Sequence, residues 1–295
     1  MTSILCIGDA MMDVIVRMKS EINANSDTLS EISMHGGGAA ANTASWLAAL
    51  GIDTTFVGRI GSDLPGSNFH NELLAQNVKH PNPPIAELKT GTVVVLVDQE
   101  GNRTMFPDAG ANSGLDVNDL PPLVGFDGAF LSGYSLFNPL STEGVQRIIN
   151  MLKDARIPIY FDLASVGTIN AFGFDRATRL LAGFDGLFLN EEEAAFITKK
   201  SKLDEQIFEL LTLTTLVVIK RGSHGAVGKS RLSELIAMPA SDSQVLDTTG
   251  AGDAFAAGFL SIWLTNQDIS QAIARGIEVA GRCVATIGAR PRVNP

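Results

Sequence analysis

Strand-like and helix-like segments take turns along most of this chain, and that rhythm constrains its fold more than any other feature. SILCIG (3–8), TTFVG (54–58), GAFLSG (128–133), PIYFD (158–162), GLFLN (186–190) and TLVVIK (215–220) are nearly continuous in apolar content, the pattern of strands covered on both faces. Between them, GAAANTASWLAAL (38–50) is followed by Gly51 as a C′ glycine, and STEGVQRIINMLKDA (141–155) is amphipathic and stops before Pro158. Such alternation implies right-handed βαβ units and an α/β architecture with a mainly parallel sheet. Two stretches depart from it. MMDVIVRM (11–18) and GTVVVLVDQEGNRTMFP (91–107) read as strands with no helix between, the second as a hairpin turning near Gln99 to Asn102. Segments of about 11–35 and 91–107 are therefore expected to form a small β-strand lid over the end of the sheet. With no internal repeat and no Pro/Ser linker, the expected organisation is one domain over residues 1–295.

Bulk properties exclude whole classes of function. No apolar run reaches the roughly 18 residues a membrane span requires, and MTSILCIGDA lacks a basic leader, so the expected location is the cytoplasm. A formal net charge of -10, without clustered Lys and Arg, argues against nucleic acid as a partner. Cys6 and Cys283 lie in apolar surroundings and read as core residues, not as a disulfide or metal site.

The stretch DTTGAGDAF (247–255) carries the chemistry. The following apolar run reads as a central helix buried on every side, so its first turn is Gly250, Ala251, Gly252 and Asp253. Bare amides at a helix start, reinforced by the helix dipole, favour a phosphate or developing oxyanion. A carboxylate beside them makes sense if it orients an acceptor hydroxyl and takes its proton as an O–P bond forms. The plainer alternative is that Asp247, Thr248 and Thr249 are turn and cap residues and Asp253 complements the dipole.

DTTGAGDAF resembles the C-terminal signature of the ribokinase-like, or PfkB, family of carbohydrate and nucleoside kinases, and GGGAAAN (36–42) resembles its N-terminal signature. The resemblance implies a three-layer sandwich with a β lid, and an ATP- and Mg2+-dependent kinase acting on a small sugar or nucleoside. Asp253 would be the catalytic base, with Gly250, Ala251 and Gly252 as the anion hole for the γ-phosphoryl group. Asp247 and the Thr249 carbonyl match positions that hold a monovalent cation, K+, in some members. Asp13, Gly37, Gly38 and Asn42 would contact sugar hydroxyls, with Arg103 on the lid and Asn112 in DAGAN beside them. Asn190 and Glu193 of NEEE match an N-x-x-E motif that positions Mg2+ through water, and Lys220, Gly222, Ser223 and Gly225 of VIKRGSHGAVG match the nucleotide loop. Ile277 stands where many sugar kinases of the family carry an asparagine, which leaves the adenine contacts open.

Several features have a second reading. Asp13 could face solvent on the lid, Arg103 could be simply solvated, and the glutamates after Asn190 suit any helix start. SHGAVGKS (223–230) comes within one residue of a P-loop, but Ser223 replaces the first glycine and no helix is evident after it. GGGAAA fits a dinucleotide fingerprint, although the next strand lacks the expected acid. The rival functions are a nucleoside kinase with the same phosphate site and a catalytically silent ligand sensor. The aromatic content of 6% provides no evident base-stacking platform and favours a simple sugar. The lid's exposed edge also invites a homodimer.

Overall fold

The computed structural model of the chain describes residues 2–292. Its main sheet has eight strands in the spatial order β12 (Ile236–Met238), β11 (Ala226–Ser230), β10 (Leu216–Lys220), β9 (Gly186–Asn190), β8 (Ile159–Asp162), β7 (Gly128–Ser132), β1 (Ser3–Ile7) and β4 (Asp53–Val57). From β4 to β10 every pairing is parallel; only β11 and β12 run antiparallel at the edge. All six strands expected from apolar runs are present, each end within a residue of the expected limit.

Because side chains alternate across a strand, each buried strand feeds two cores. Ile4, Cys6, Phe56, Phe130 and Phe188 face a core completed by α1 (Ala39–Ala49), α2 (Leu64–Ala75), α9 (Ala251–Asn266) and α10 (Ile269–Val284). Leu5, Ile7, Val57, Leu131 and Leu187 face the other, covered by α3 (Gly133–Leu136), α4 (Thr142–Asp154), α5 (Val166–Phe172), α6 (Phe174–Leu180), α7 (Glu191–Thr198) and α8 (Leu203–Leu213). This is the three-layer sandwich. Cys6 and Cys283 are buried and unpaired, as expected. No helix among the described residues is long and apolar enough to cross a membrane.

A second sheet has the order β3 (Ser30–Gly37), β2 (Met11–Met18), β5 (Gly91–Val97), β6 (Arg103–Asp108). β5 and β6 form the anticipated hairpin, with Asp98 accepting from both the backbone and the side-chain amide of Asn102 in the turn. Register defines two faces. Asp13 pairs with Val93 and Arg17 with Val97, which pairs in turn with Arg103, so Asp13 and Arg103 project from the same side.

The region after β10 departs from the reading of 217–228 as strand and glycine loop. Gly225, with φ 86, turns the chain directly into β11, and a Cβ there would lie within 1.9 Å of the Met238 carbonyl oxygen. The segment after the P-loop-like SHGAVG is thus strand, not helix.

Candidate active site

The parallel strands β8 to β10 end together, and their C-terminal ends supply polar and charged groups. Asp162 closes β8, Asn190 closes β9 and Lys220 closes β10, with Lys220 in register with Asn190. Lys220 Nζ donates to Asp162 Oδ2 at 2.5 Å. Burial alone would lower the Lys220 pKa, but the Asp162 and Glu193 carboxylates raise it, so the ammonium is retained. The same amine lies 3.2 Å from where a Cβ on Gly252 would stand, which sets a positive charge beside the start of α9.

That start is bare. Gly250 caps α9 in the left-handed conformation with φ 75, and no side chain caps the helix. Ala251 N–H reaches the Thr248 carbonyl at 3.3 Å, whereas the N–H groups of Gly250, Gly252 and Asp253 find no acceptor among the described residues. Within the expected 250–252 set Ala251 is therefore weakly engaged, while Gly250 and Gly252 are joined by the open amide of Asp253. A Cβ on Gly250 would lie 2.6 Å from that of Ala289, so the loop and the C-terminal segment close on each other only around glycine.

Asp253 is half-buried, and Asn42 Nδ2 donates to its Oδ2 at 2.9 Å, leaving Oδ1 without a protein partner among the described residues. Burial pushes the Asp253 pKa up, and Asp162 and Asp13 add to the rise against the Asn42 hydrogen bond and Lys220, so that it reaches about 7. Asn42 does not itself point freely at a substrate. Arg290 Nε donates to its Oδ1 at 3.1 Å, and because arginine is only a donor, the amide is held with its NH2 toward Asp253. Arg290 is itself fixed by Glu72 Oε2 at 3.1 Å, by the Gly37 carbonyl at 3.0 Å and by the Phe69 ring, 4.8 Å from its carbon.

The three glycines of GGGAAAN now have separate causes. A Cβ on Gly36 would strike Glu72 and Arg290, and one on Gly37 would strike the Asp13 carboxylate at 2.4 Å. Gly38, with φ 92, would place its Cβ 2.0 Å from the Asp9 carbonyl oxygen. Asp13 is packed against Gly37 and accepts no hydrogen bond from the described residues. Burial raises its pKa to about 6, although Arg290 and His35 pull it down. Its oxygens remain open to hydroxyl donors.

On the other side of the strand ends, Asn190 and Glu193 cap α7 reciprocally. Asn190 Oδ1 accepts from Glu193 N at 2.8 Å, while Asn190 N and Nδ2 donate to the two Glu193 oxygens at 2.8 and 2.7 Å. Burial raises the Glu193 pKa to about 7. Each Glu193 oxygen keeps a lone pair beyond those engaged by Asn190. No group of three acids, histidines or cysteines among the described residues could hold a metal directly. The donor set therefore fits the water shell of Mg2+ and not a closed cage. Gly222, with φ 54, and exposed Ser223 follow Lys220 in the loop before Gly225.

Three expected contacts need correction. Asn112 is buried, with its Oδ1 accepting from Ala10 N and its Nδ2 donating to the Ala10 and Ala109 carbonyls, so it braces the chain entering β2 and has no free donor for a sugar. Arg103 does not point toward Asp13; its guanidinium donates to Thr249 Oγ1 at 2.7 Å and Asp247 Oδ1 at 2.8 Å. For the same reason the expected K+ position is altered: Asp247 Oδ1 already accepts from Thr249 N, Thr249 Oγ1 and Arg103, its Oδ2 accepts from Gly288 N and keeps one lone pair, and the Thr249 carbonyl accepts from Cys283 Sγ at 3.4 Å, so what remains for a cation lies beside a guanidinium. Burial would raise the Asp247 pKa, but these donors hold it down at about 2. Ile277 packs half-buried against the α9 and α10 core.

Asp162, Glu72 and Arg290 join the site without having been singled out in the sequence. Asp162 carried one signal, an acid ending an apolar strand; Arg290 carried none beyond its place in the closing GARP.

A family model described as pfkB family carbohydrate kinase matches residues 1–295. An ATP-dependent ribose-1-phosphate kinase of Halopiger xanaduensis is 28% identical over 98% of this chain and 93% of its own. The crystal structure of an adenosine kinase from Sinorhizobium meliloti superposes with a TM-score of 0.88 at 25% identity, covering 98% of this chain and 96% of its own. A structure from E. coli solved with ATP and Mg2+ superposes with a TM-score of 0.86 at 19% identity, covering 98% and 94%.

Proposed function

The chain belongs to the pfkB family of carbohydrate kinases and is a phosphotransferase with an alcohol acceptor; from that premise we propose that it transfers the γ-phosphoryl group of ATP to a hydroxyl of a small carbohydrate. The observation that carries this reading is Asp253: a carboxylate with one oxygen held by Asn42 and the other open, at the uncapped start of a buried helix.

The acceptor's hydroxyls are bound by Asp13, whose carboxylate has only such donors left to meet. The reacting hydroxyl lies at Asp253 Oδ1. As its oxygen bonds to the γ-phosphorus, its proton passes to Oδ1 and the bond to the β–γ bridging oxygen breaks, releasing ADP. The Gly250, Gly252 and Asp253 amides and the Lys220 ammonium face the charge on the transferred group. Asn190 and Glu193, with Asp162, would hold hydrated Mg2+, which when bound neutralises phosphate charge. The second sheet closes over the acceptor from the Asp13 side and excludes water, which limits loss of ATP to hydrolysis.

A nucleoside acceptor is the alternative, favoured by the likeness to the adenosine kinase. Against it, Phe69, the aromatic ring nearest Asp13's neighbour Arg290, is buried beneath that guanidinium and has no face for a base. A coupled assay of ADP release over pentoses, hexoses, sugar acids and nucleosides separates the two. The carbohydrate reading predicts turnover with a sugar well above any nucleoside; the reverse order would reassign the acceptor, and no ADP release with any of them would point to a ligand sensor.

A further inference from the structure

Arg103 ion-pairs with Asp247, one of the two residues at which the sequence resemblance places a monovalent cation. It is the first residue of β6, directly after the hairpin turn, and projects from the same face of the second sheet as Asp13. From there it crosses to the loop that leads into α9. One nitrogen donates to Thr249 Oγ1 and another to Asp247 Oδ1, and the Thr249 hydroxyl in turn donates to the same Asp247 oxygen at 2.6 Å. The Asp247 side chain is 3% exposed, and Arg103 is its one ion-pair partner among the described residues.

A carboxylate oxygen has about two lone pairs, so one with three donors has none to give a metal. A cation added beside the guanidinium would also meet a like charge at close range. Asp247 thus has its charge balanced and Oδ1 saturated by the chain itself, and a cation at the remaining lone pair of Oδ2 or at the Thr249 carbonyl would sit beside the Arg103 charge. Three residues after Asp247, Gly250 begins the row of amides at the α9 entry.

We propose that Arg103 is a positioning residue that acts as the built-in counter-cation of Asp247, fastening the hairpin tip to the α9 entry so that the kinase needs no monovalent metal. Without it, a buried carboxylate is left unpaired at the edge of the phosphate site, which is costly and invites a metal ion to take its place. The inference uses the kinase reading for its consequence on turnover but not for its consequence on stability.

The test compares wild type, Arg103→Ala and Arg103→Lys in potassium, sodium and tetramethylammonium chloride at equal ionic strength. Two quantities are read: the Tm of the chain without nucleotide or acceptor, and the rate of ADP release. Wild type is expected to show the same Tm and the same rate, within about twofold, in all three salts, since ions without a site act only by screening. Arg103→Ala is expected to lose at least about tenfold in turnover in tetramethylammonium, of the order of the coupling one residue of such a link can carry. It should gain both Tm and rate specifically in potassium or sodium. Arg103→Lys restores the charge without the fork, so it should stay salt-indifferent with an intermediate rate. A wild-type Tm several degrees higher, or a wild-type rate several-fold higher, in potassium than in tetramethylammonium would overturn the proposal. So would an alanine variant that matches wild type in every salt. If no acceptor is turned over, the Tm comparison alone decides, and the failure lies with the kinase reading instead.

Discussion

At the scale of single residues, burial raises the pKa of Asp253, whose free oxygen faces the uncapped α9 entry, to about 7. A base must be ionised, so kcat/KM should fall tenfold per pH unit below about 7 in wild type, which a pH–rate profile measures directly. The raised value also has a stability sign. A carboxyl whose folded pKa exceeds its unfolded one contributes stability that is present at pH below about 4, and that is lost as pH rises through about 7. Asp253→Asn should therefore melt above wild type at pH 8, with the gap closing toward pH 4. Gly37→Ala should raise the acceptor KM by about tenfold or more, within the ~1–3 kcal/mol that overpacking costs, because its Cβ displaces the Asp13 carboxylate while ATP binding is untouched. Asp253, Asp13 and the glycines could be picked out from sequence because each lies in a short contiguous signature. Asp162 and Arg290 could not, since an acid at a strand end and an arginine near a terminus gain meaning only when β8, β10 and α1 bring Lys220 and Asn42 to them.

At the scale of elements, the uncapped entry to α9 is the feature that matters. Gly250→Ala forces a side chain into the left-handed region and against Ala289. It should lower stability by about 1–3 kcal/mol in denaturant melts and reduce kcat more than it raises the acceptor KM. Strands β1, β4 and β7 to β10 were legible because burial on both faces leaves uninterrupted apolar runs. β11 and β12 were not: AVGKS and IAM are short antiparallel strands at the end of the sheet, and the glycines around β11 read as loop. The hairpin β5–β6 was evident from its pattern, but the destination of Arg103 depended on register. Which face a strand residue takes changes with a slip of one position, and no local signal sets it.

At the scale of the whole molecule, two surfaces of the second sheet differ in kind. Its inner face carries Asp13 and Arg103. On its outer face Val14, Val16, Ile32, Met34, Val94, Leu96 and Phe106 share one side by register, and Ile32, Met34 and Phe106 are exposed. The expectation of a homodimer thus moves from the sheet's edge to this face, and as a proposal it predicts a sedimenting mass twice the 31.2 kDa of the chain, lost in Met34→Glu. The central claim joins both sheets: the acceptor is held under the second sheet and its proton is taken at the α9 entry. The most direct measurement is ADP release by Asp253→Asn, against wild type, with the best acceptor and with Mg-ATP binding followed in parallel. The account predicts a loss of at least ~10²-fold in kcat with nucleotide affinity retained. Turnover within a few-fold of wild type would contradict it.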